Sequence, residues 1–338
     1  MKRLTVAGRL IITALILAAL FFGYKYLGGQ KALESVANDA RTESPEGSSE
    51  YKTPEPSSPS NPDKVASDVA GSSFDYDAPE PINGTLKGVV ELGASGFNSF
   101  IINVDPQKRW KLAKAEFGNS LVTENMATDA DIRMGLKRYI GSMLDYGVNG
   151  KNIHFVVSSG AAKADVTSKI TAALQSLGYK VNQVTPQQEG TLALKSVLPE
   201  LYDERAFVTD IGSGNTKISW IENGSVRAID TYGAKYFQEN VADEKIYAEV
   251  LAKAKQIPAN RRKTCFIIGG VPFEMAKEVR KGKERYTVLS APAAYKLENA
   301  KSKAGINIYK AIADATGTDQ FVFDWDANFT IGFLLGLP

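Results

Sequence analysis

Cysteine and histidine are almost missing: Cys265 and His154 are the sole examples of their types in 338 residues. A lone cysteine excludes an intrachain disulfide framework, and one of each cannot assemble a Cys/His zinc site. A Ser-His-Asp or Cys-His nucleophile would have to recruit His154, which falls in the strand-like run Asn152-Ile153-His154-Phe155-Val156-Val157. A packed strand histidine accounts for that residue more simply. An excess of one charge is missing as well. The 40 Lys and Arg stand against 38 Asp and Glu, a formal net charge of +2. Nucleic acid has no electrostatic footprint to bind, and none is expected as a partner.

What is present divides into three stretches. Leu10 to Tyr24 carries no charge and follows Lys2, Arg3 and Arg9. Extended through Tyr26 and Leu27, with Arg9 and Lys25 snorkelling, it approaches the roughly 20 residues of a spanning helix. The rival reading is a cleaved signal peptide. The exit Phe21-Phe22-Gly23-Tyr24-Lys25-Tyr26 is bulky, however, where a cleavage site wants small residues, and interfacial tyrosine suits an anchor. The expectation is a basic flank over 1–9 and a single transmembrane anchor over 10–27. The amino terminus is then cytoplasmic and the main domain outside the cytoplasm, by the positive-inside asymmetry. Over 28–81 the chain reads as a disordered linker. Seven of its 14 prolines fall between Pro45 and Pro81, among Ser, Glu, Asp and Asn, with too little apolar surface to offset the entropy of ordering.

The folded part is expected over 82–338. Strand-like runs occur at Gly88–Leu92, Phe100–Val104, Ile153–Val157, Ala206–Asp210, Lys217–Ile221 and Thr264–Ile268. Apolar residues at helical spacing lie between and after them: Val166 to Leu177, Val241 to Ala254 and Ile306 to Ala313. The alternation predicts an α/β class, with sheets covered by helices. Cys265, within one of these runs, reads as plain core.

One pattern occurs twice. Val89-Val90-Glu91-Leu92-Gly93-Ala94-Ser95-Gly96-Phe97-Asn98 is an apolar strand ending in an acid, then a Gly/Ser turn, then another strand. Phe207-Val208-Thr209-Asp210-Ile211-Gly212-Ser213-Gly214-Asn215-Thr216 repeats it, Asp210 following Glu91 by 119 residues. Such turns let backbone N–H groups converge on an oxyanion, and the acids can hold hydrated magnesium against a phosphate. Two ordinary hairpins with solvated acids are the alternative, which the repetition disfavours. Neither copy is a dinucleotide fingerprint, because Gly212-x-Gly214 lacks a third glycine and leads into a strand. A third element, Thr264-Cys265-Phe266-Ile267-Ile268-Gly269-Gly270, is a strand ending in Gly-Gly before a helix opening at Pro272-Phe273-Glu274-Met275. It reads as a nucleotide-facing turn or as a plain βα turn.

At these residues the chain resembles the actin-like ATPase superfamily (actin, sugar kinases, heat-shock seventy-kilodalton chaperones). Within it, the chain most resembles the exopolyphosphatase and guanosine pentaphosphate phosphohydrolase family. Phe155-Val156-Val157-Ser158-Ser159-Gly160-Ala161-Ala162, Gln187-Gln188-Glu189-Gly190 and Asp210-Ile211-Gly212-Ser213-Gly214-Asn215-Thr216 carry the likeness, over about 85–337. It implies a duplicated actin-like (ribonuclease H-like) domain of two lobes, about 82–200 and 201–338, with a central cleft. It implies Glu189 and Asp210 as catalytic acids, and Glu91 and Asp210 as acids linked to magnesium. Gly93, Ser95, Gly96, Gly212, Ser213, Gly214, Asn215, Gly269 and Gly270 would line a bound ATP or polyphosphate. Three features depart from the family. Glu91 stands where the superfamily has Asp, the first turn reads as running from Gly93 to Asn98, and only Glu189 remains of a run of acids. The expected functions are therefore three: a phosphoanhydride hydrolase or ATPase, a catalytically degenerate tethered binding or scaffold module, and a self-associating actin-like filament protein.

Overall fold

The computed structural model describes residues 74–93, 96–118, 129–162 and 165–338. The expected anchor over 10–27, its basic flank, the linker up to 73, and Ser95 lie outside the described residues. Among those described, no helix is long and apolar enough to cross a membrane.

The first sheet contains β1 (Thr85–Gly93), β2 (Gly96–Val104), β3 (Trp110–Phe117), β4 (Ile153–Val157) and β5 (Val181–Gln183). Its order is β3-β2-β1-β4-β5. The first three strands form an antiparallel meander, and β4 and β5 add in parallel beside β1. The second sheet contains β6 (Ala206–Ile211), β7 (Asn215–Glu222), β8 (Ser225–Tyr232), β9 (Thr264–Ile268), β10 (Tyr286–Val288) and β11 (Gln320–Asp324). Its order, β8-β7-β6-β9-β11-β10, repeats the first strand by strand and adds β10 at one edge. Here too a meander is followed by parallel additions, with β9 beside β6 and β11 beside β9. The duplication seen in two hairpins thus extends to whole sheets.

The helices are α1 (Asp129–Asp145), α2 (Asp165–Ser176), α3 (Pro186–Val197), α4 (Asp243–Ala254), α5 (Gly270–Val279), α6 (Ala300–Thr316) and α7 (Phe329–Leu335). One hydrophobic cluster packs α1 and α2 on the first sheet. Another packs α4, α5 and α6 on the second. A third belongs to both sheets: Val89, Ile102 and Val156 meet Val208, Phe266 and Val322 around Leu194 of α3 and Ile331 of α7. The two halves therefore share a core. Arg285 adds a polar tie, its guanidinium 4.4 Å from the Trp110 ring centroid of the first sheet and bidentate at 3.0 Å to Asp324 of the second.

Just before the first strand, Phe74 and Tyr76 pack against the domain. The Phe74 ring lies 5.4 Å from Tyr202, 5.5 Å from Phe266 and 5.4 Å from Tyr286. Further on, the backbone N–H of Ile82 donates to Asp105 at 3.0 Å. Two aromatic rings supply the apolar surface that a count of aliphatic residues overlooks. Phe74→Ala is expected to cost about 2 kcal/mol of stability. Denaturant titration of the full chain checks this, and an unshifted midpoint would mean that the segment contributes nothing.

Candidate functional site

The two sheets bring the repeated acids to one place. Glu91, near the end of β1, is buried, and its Oε2 accepts from Asn98 Nδ2 of β2 at 3.0 Å and from Asn328 Nδ2 at 3.1 Å. Asn328 is the N-cap of α7, its own Oδ1 accepting from Thr330 N at 2.8 Å, so the last helix helps to seat the first acid. Asp210, near the end of β6, is also buried, with Lys217 opposite it in strand register. Burial pushes the Glu91 carboxyl up to about 7, with Asp210 and Glu189 adding to the rise against the two amide donors. Burial pushes Asp210 up to about 6, Glu189 adding and Lys217 opposing. Acids 119 residues apart in the chain thus sense each other within one buried cluster.

Glu189 enters from α3. That helix begins in a capping box: Thr185 Oγ1 accepts from Gln188 N at 3.2 Å, and Gln188 Oε1 accepts from Thr185 N at 2.8 Å. Gln188 therefore shapes the backbone, while Gln187 Nε2 donates to Asp230 at 3.2 Å. One residue past Glu189, a Cβ on Gly190 would stand 2.9 Å from Ala228 Cβ. That close approach lets α3 lie on β7 and β8 and carries the carboxylate inward. The side chain is fully buried. Its Oε1 accepts from the Ser159 backbone N–H at 2.8 Å, and Oε2 accepts from Ser159 Oγ at 2.8 Å and from the Lys217 ammonium. Asn215 Nδ2 then donates to Ser159 Oγ at 3.0 Å, joining the second hairpin to the loop after β4.

Lys217 is the residue that sequence reasoning missed. It lies on β7 directly across from Asp210, so both side chains leave the sheet on one face. Its side chain is only 6% exposed. Burial pulls its pKa down, but Asp210, Glu189 and Glu91 together outweigh that and hold the ammonium above its ordinary value. Its neighbours Asn215, Thr216 and Ser219 are polar too, so the sequence does not single it out.

The second turn, Gly212-Ser213-Gly214, is braced from behind. Ala234 N donates to Gly212 O at 2.9 Å and Lys235 N to Ser213 O at 3.0 Å. Gly212 N is already spent on Asn215 O at 3.1 Å and Asp210 O at 3.2 Å. The first turn is tighter than expected. Pairing continues to Gly93 opposite Gly96, leaving two residues between the strands in place of an excursion from Gly93 to Asn98. Gly269, at φ +113°, caps α5 against β6, where a Cβ would stand 2.3 Å from Ile211 O; only glycine fits there. Next to it, Lys301 Nζ lies 3.4 Å from the Cβ position of Gly270. Burial lowers the Lys301 pKa, Lys235 lowers it further, and Glu274 opposes both. Thus Gly212, Gly214, Asn215, Gly269 and Gly270 gather at one end of the second sheet, with Lys217, Lys235 and Lys301 around them. Gly93, Gly96 and Glu91 sit at the matching end of the first.

No protein-family model matches the sequence, and neither does any curated protein. Solved structures do match. A Ppx/GppA enzyme of Aquifex aeolicus aligns over 75% of this chain and 99% of its own, with 16% identity and a TM-score of 0.57. An exopolyphosphatase of Cytophaga hutchinsonii aligns over 75% and 99%, with 13% identity and a TM-score of 0.59. The type II variant of the Aquifex aeolicus Ppx/GppA phosphatase aligns over 74% and 98%, with 15% identity and a TM-score of 0.54. The fold is that of the Ppx/GppA structures. It is a mixed α/β fold of two repeated sheets, consistent with the actin-like arrangement of two lobes.

On this Ppx/GppA-type fold the remaining residues lie apart from the acids. His154 packs edge-on against Phe333 at 5.9 Å. Cys265 is buried core, its thiol pushed up by burial. Trp220 is core, and Trp325 lies under Arg280 at 3.8 Å. Among the described residues no group of three acids, histidines or cysteines could hold a metal ion by itself. Magnesium at a phosphate would therefore rest on one or two carboxylates and water, and the carboxylates here have cationic neighbours. Glu189 is taken by Lys217 and Ser159, and an ammonium stands across from Asp210.

Two outcomes follow from this electrostatic arrangement. Glu91 keeps its proton to about 7 in the fold but loses it near 4.5 when unfolded. Between those values the native state binds the more protons, so this group's contribution to stability falls as pH rises. Glu91→Gln should therefore gain stability relative to wild type by up to about 3 kcal/mol above pH 7, and lose that advantage below about pH 4.5; chemical denaturation at several pH values reads the difference. Lys217→Met strands a buried carboxylate and should cost about 3 to 5 kcal/mol, most of it regained in Lys217→Met/Glu189→Leu. A double variant no more stable than the single would contradict the pairing.

Proposed function

We propose that this chain is a membrane-tethered phosphate-binding module: its cleft takes the phosphate chain of a nucleotide or a polyphosphate, and turnover has been lost. The observation that carries this reading is the capture of Glu189. A carboxylate that orients or deprotonates an attacking water needs a lone pair directed at that water. Here Oε2 accepts twice, from Ser159 Oγ and the Lys217 ammonium, Oε1 accepts from the Ser159 N–H, and the side chain has no exposed surface at which a water could be held. The parts suited to holding phosphate remain, namely a braced Gly/Ser turn, the Gly269-Gly270 approach and three lysines. The names of the matched structures, Ppx/GppA phosphatases and an exopolyphosphatase, support phosphate as the ligand class. The span over 10–27 supplies the tether, with the folded part outside the cytoplasm.

A second reading, hydrolysis of the phosphoanhydride with magnesium, has one observation in its favour: Asp210 is buried and raised in pKa to about 6, as groups at reactive sites often are. One experiment separates the two. The full-length protein is titrated calorimetrically with ATP and with tripolyphosphate in the presence of magnesium, and released phosphate is assayed in parallel. Saturable binding without release is expected. Release that Asp210→Ala abolishes would establish the hydrolase instead, and absence of binding to either compound would end the phosphate reading altogether.

A further inference from the structure

A phosphate chain in a cleft lined by acids needs positive charge beside it, and the fold itself carries that charge. Lys217 is fixed from three sides. It pairs with Glu189, stands opposite Asp210 in strand register, and holds its Nζ 3.4 Å from where a Cβ of Gly212 would stand. It is thus anchored beside the turn that would receive a phosphate oxygen. A divalent cation held by Asp210 would be forced close to an ammonium that cannot leave, since burial and its acid partners lock it in place. The same ammonium removes Glu189 from any donor set. On the other side of the turn, the Lys235 backbone N–H is bonded to Ser213 O. Lys301 stands beside Gly270, its Nζ 3.4 Å from where a Cβ of that glycine would be, with Glu274 as the acid that opposes the effect of its burial.

We infer that the cleft binds phosphate chains without a divalent metal, the ammonium of Lys217 standing where the acids would otherwise recruit one and Lys235 and Lys301 supplying the remaining countercharge. The inference rests on the phosphate-binding reading above. It sets this site apart from one whose ligand is a metal–phosphate chelate: the recognised species is the free polyanion.

The test is calorimetric titration of the full-length protein with inorganic tripolyphosphate, once with magnesium and once with a chelator. Affinity in chelator is expected within about threefold of that in magnesium. Lys217→Glu should lose tenfold or more in chelator and recover when magnesium is restored, while Lys217→Arg keeps chelator-resistant binding. Lys301→Gln, at a half-buried position, should weaken binding about tenfold under both conditions. If Lys217→Glu does not fold, the wild-type comparison and Lys301→Gln decide. Wild-type binding that requires magnesium overturns the inference and leaves the phosphate reading standing. Absence of binding under both conditions overturns the two together.

Discussion

The cluster of acids depends on one buried contact, the ion pair between Lys217 and Glu189. Neither group could be left alone there, because an unpaired charge at that depth costs several kcal/mol. The pair therefore fixes α3 on β7. Through Ser159, which donates to the same carboxylate, and Asn215, which donates to Ser159, it also fixes the loop after β4 to the second hairpin. Two segments from opposite halves of the chain are held by one carboxylate. The low dielectric that makes the pair costly to bury also makes it costly to break.

Around that contact the architecture is a repeat that has been tied together. Each sheet offers an antiparallel meander with an acid near the end of its first strand, and each adds parallel strands beside it. A simple repeat would leave two independent layers. Here α3 and α7 lie in a core contributed by both sheets, with Arg285 bridging Trp110 and Asp324 nearby. Phe74 and Tyr76 lie on the same shared core, so the segment before the first strand is held where the halves meet. The last helix returns to the first sheet to place Asn328 on Glu91. The acid of the first strand and the last helix are parts of one arrangement.

The sequence was legible where burial dictated residue type. Ile153–Val157 and Thr264–Ile268 are strands with the ends that their apolar runs suggest, because both lie between other strands and need hydrophobic residues on both faces. Strands β3 and β8 were hidden for the opposite reason. They are sheet edges, and their Lys111, Lys114, Glu116, Arg227 and Asp230 suit an exposed edge while breaking the apolar pattern. The short strands β5 and β10 are edges too. Strand β11, central and apolar at Phe321-Val322-Phe323, carries the usual signal and was passed over. At the site, Glu91, Asp210 and the Gly-Gly turn could be found because they repeat or punctuate strands. Lys217, Lys235 and Lys301 could not, since a lysine in a sequence is nearly always a solvated one.

Local rules, then, were enough to determine the α/β class, the doubled acidic hairpin, and the strand and helix positions that burial periodicity imposes. Those features depend on each residue's preference for water or core, which the chain carries wherever it goes. The tertiary structure alone decided that Glu189 would be held by Lys217 and that Asn328 would reach Glu91 across 237 positions. Such outcomes depend on distance in space. Electrostatic energy in a buried cleft is set by separation and by the water excluded, and neither quantity is written in the order of the residues.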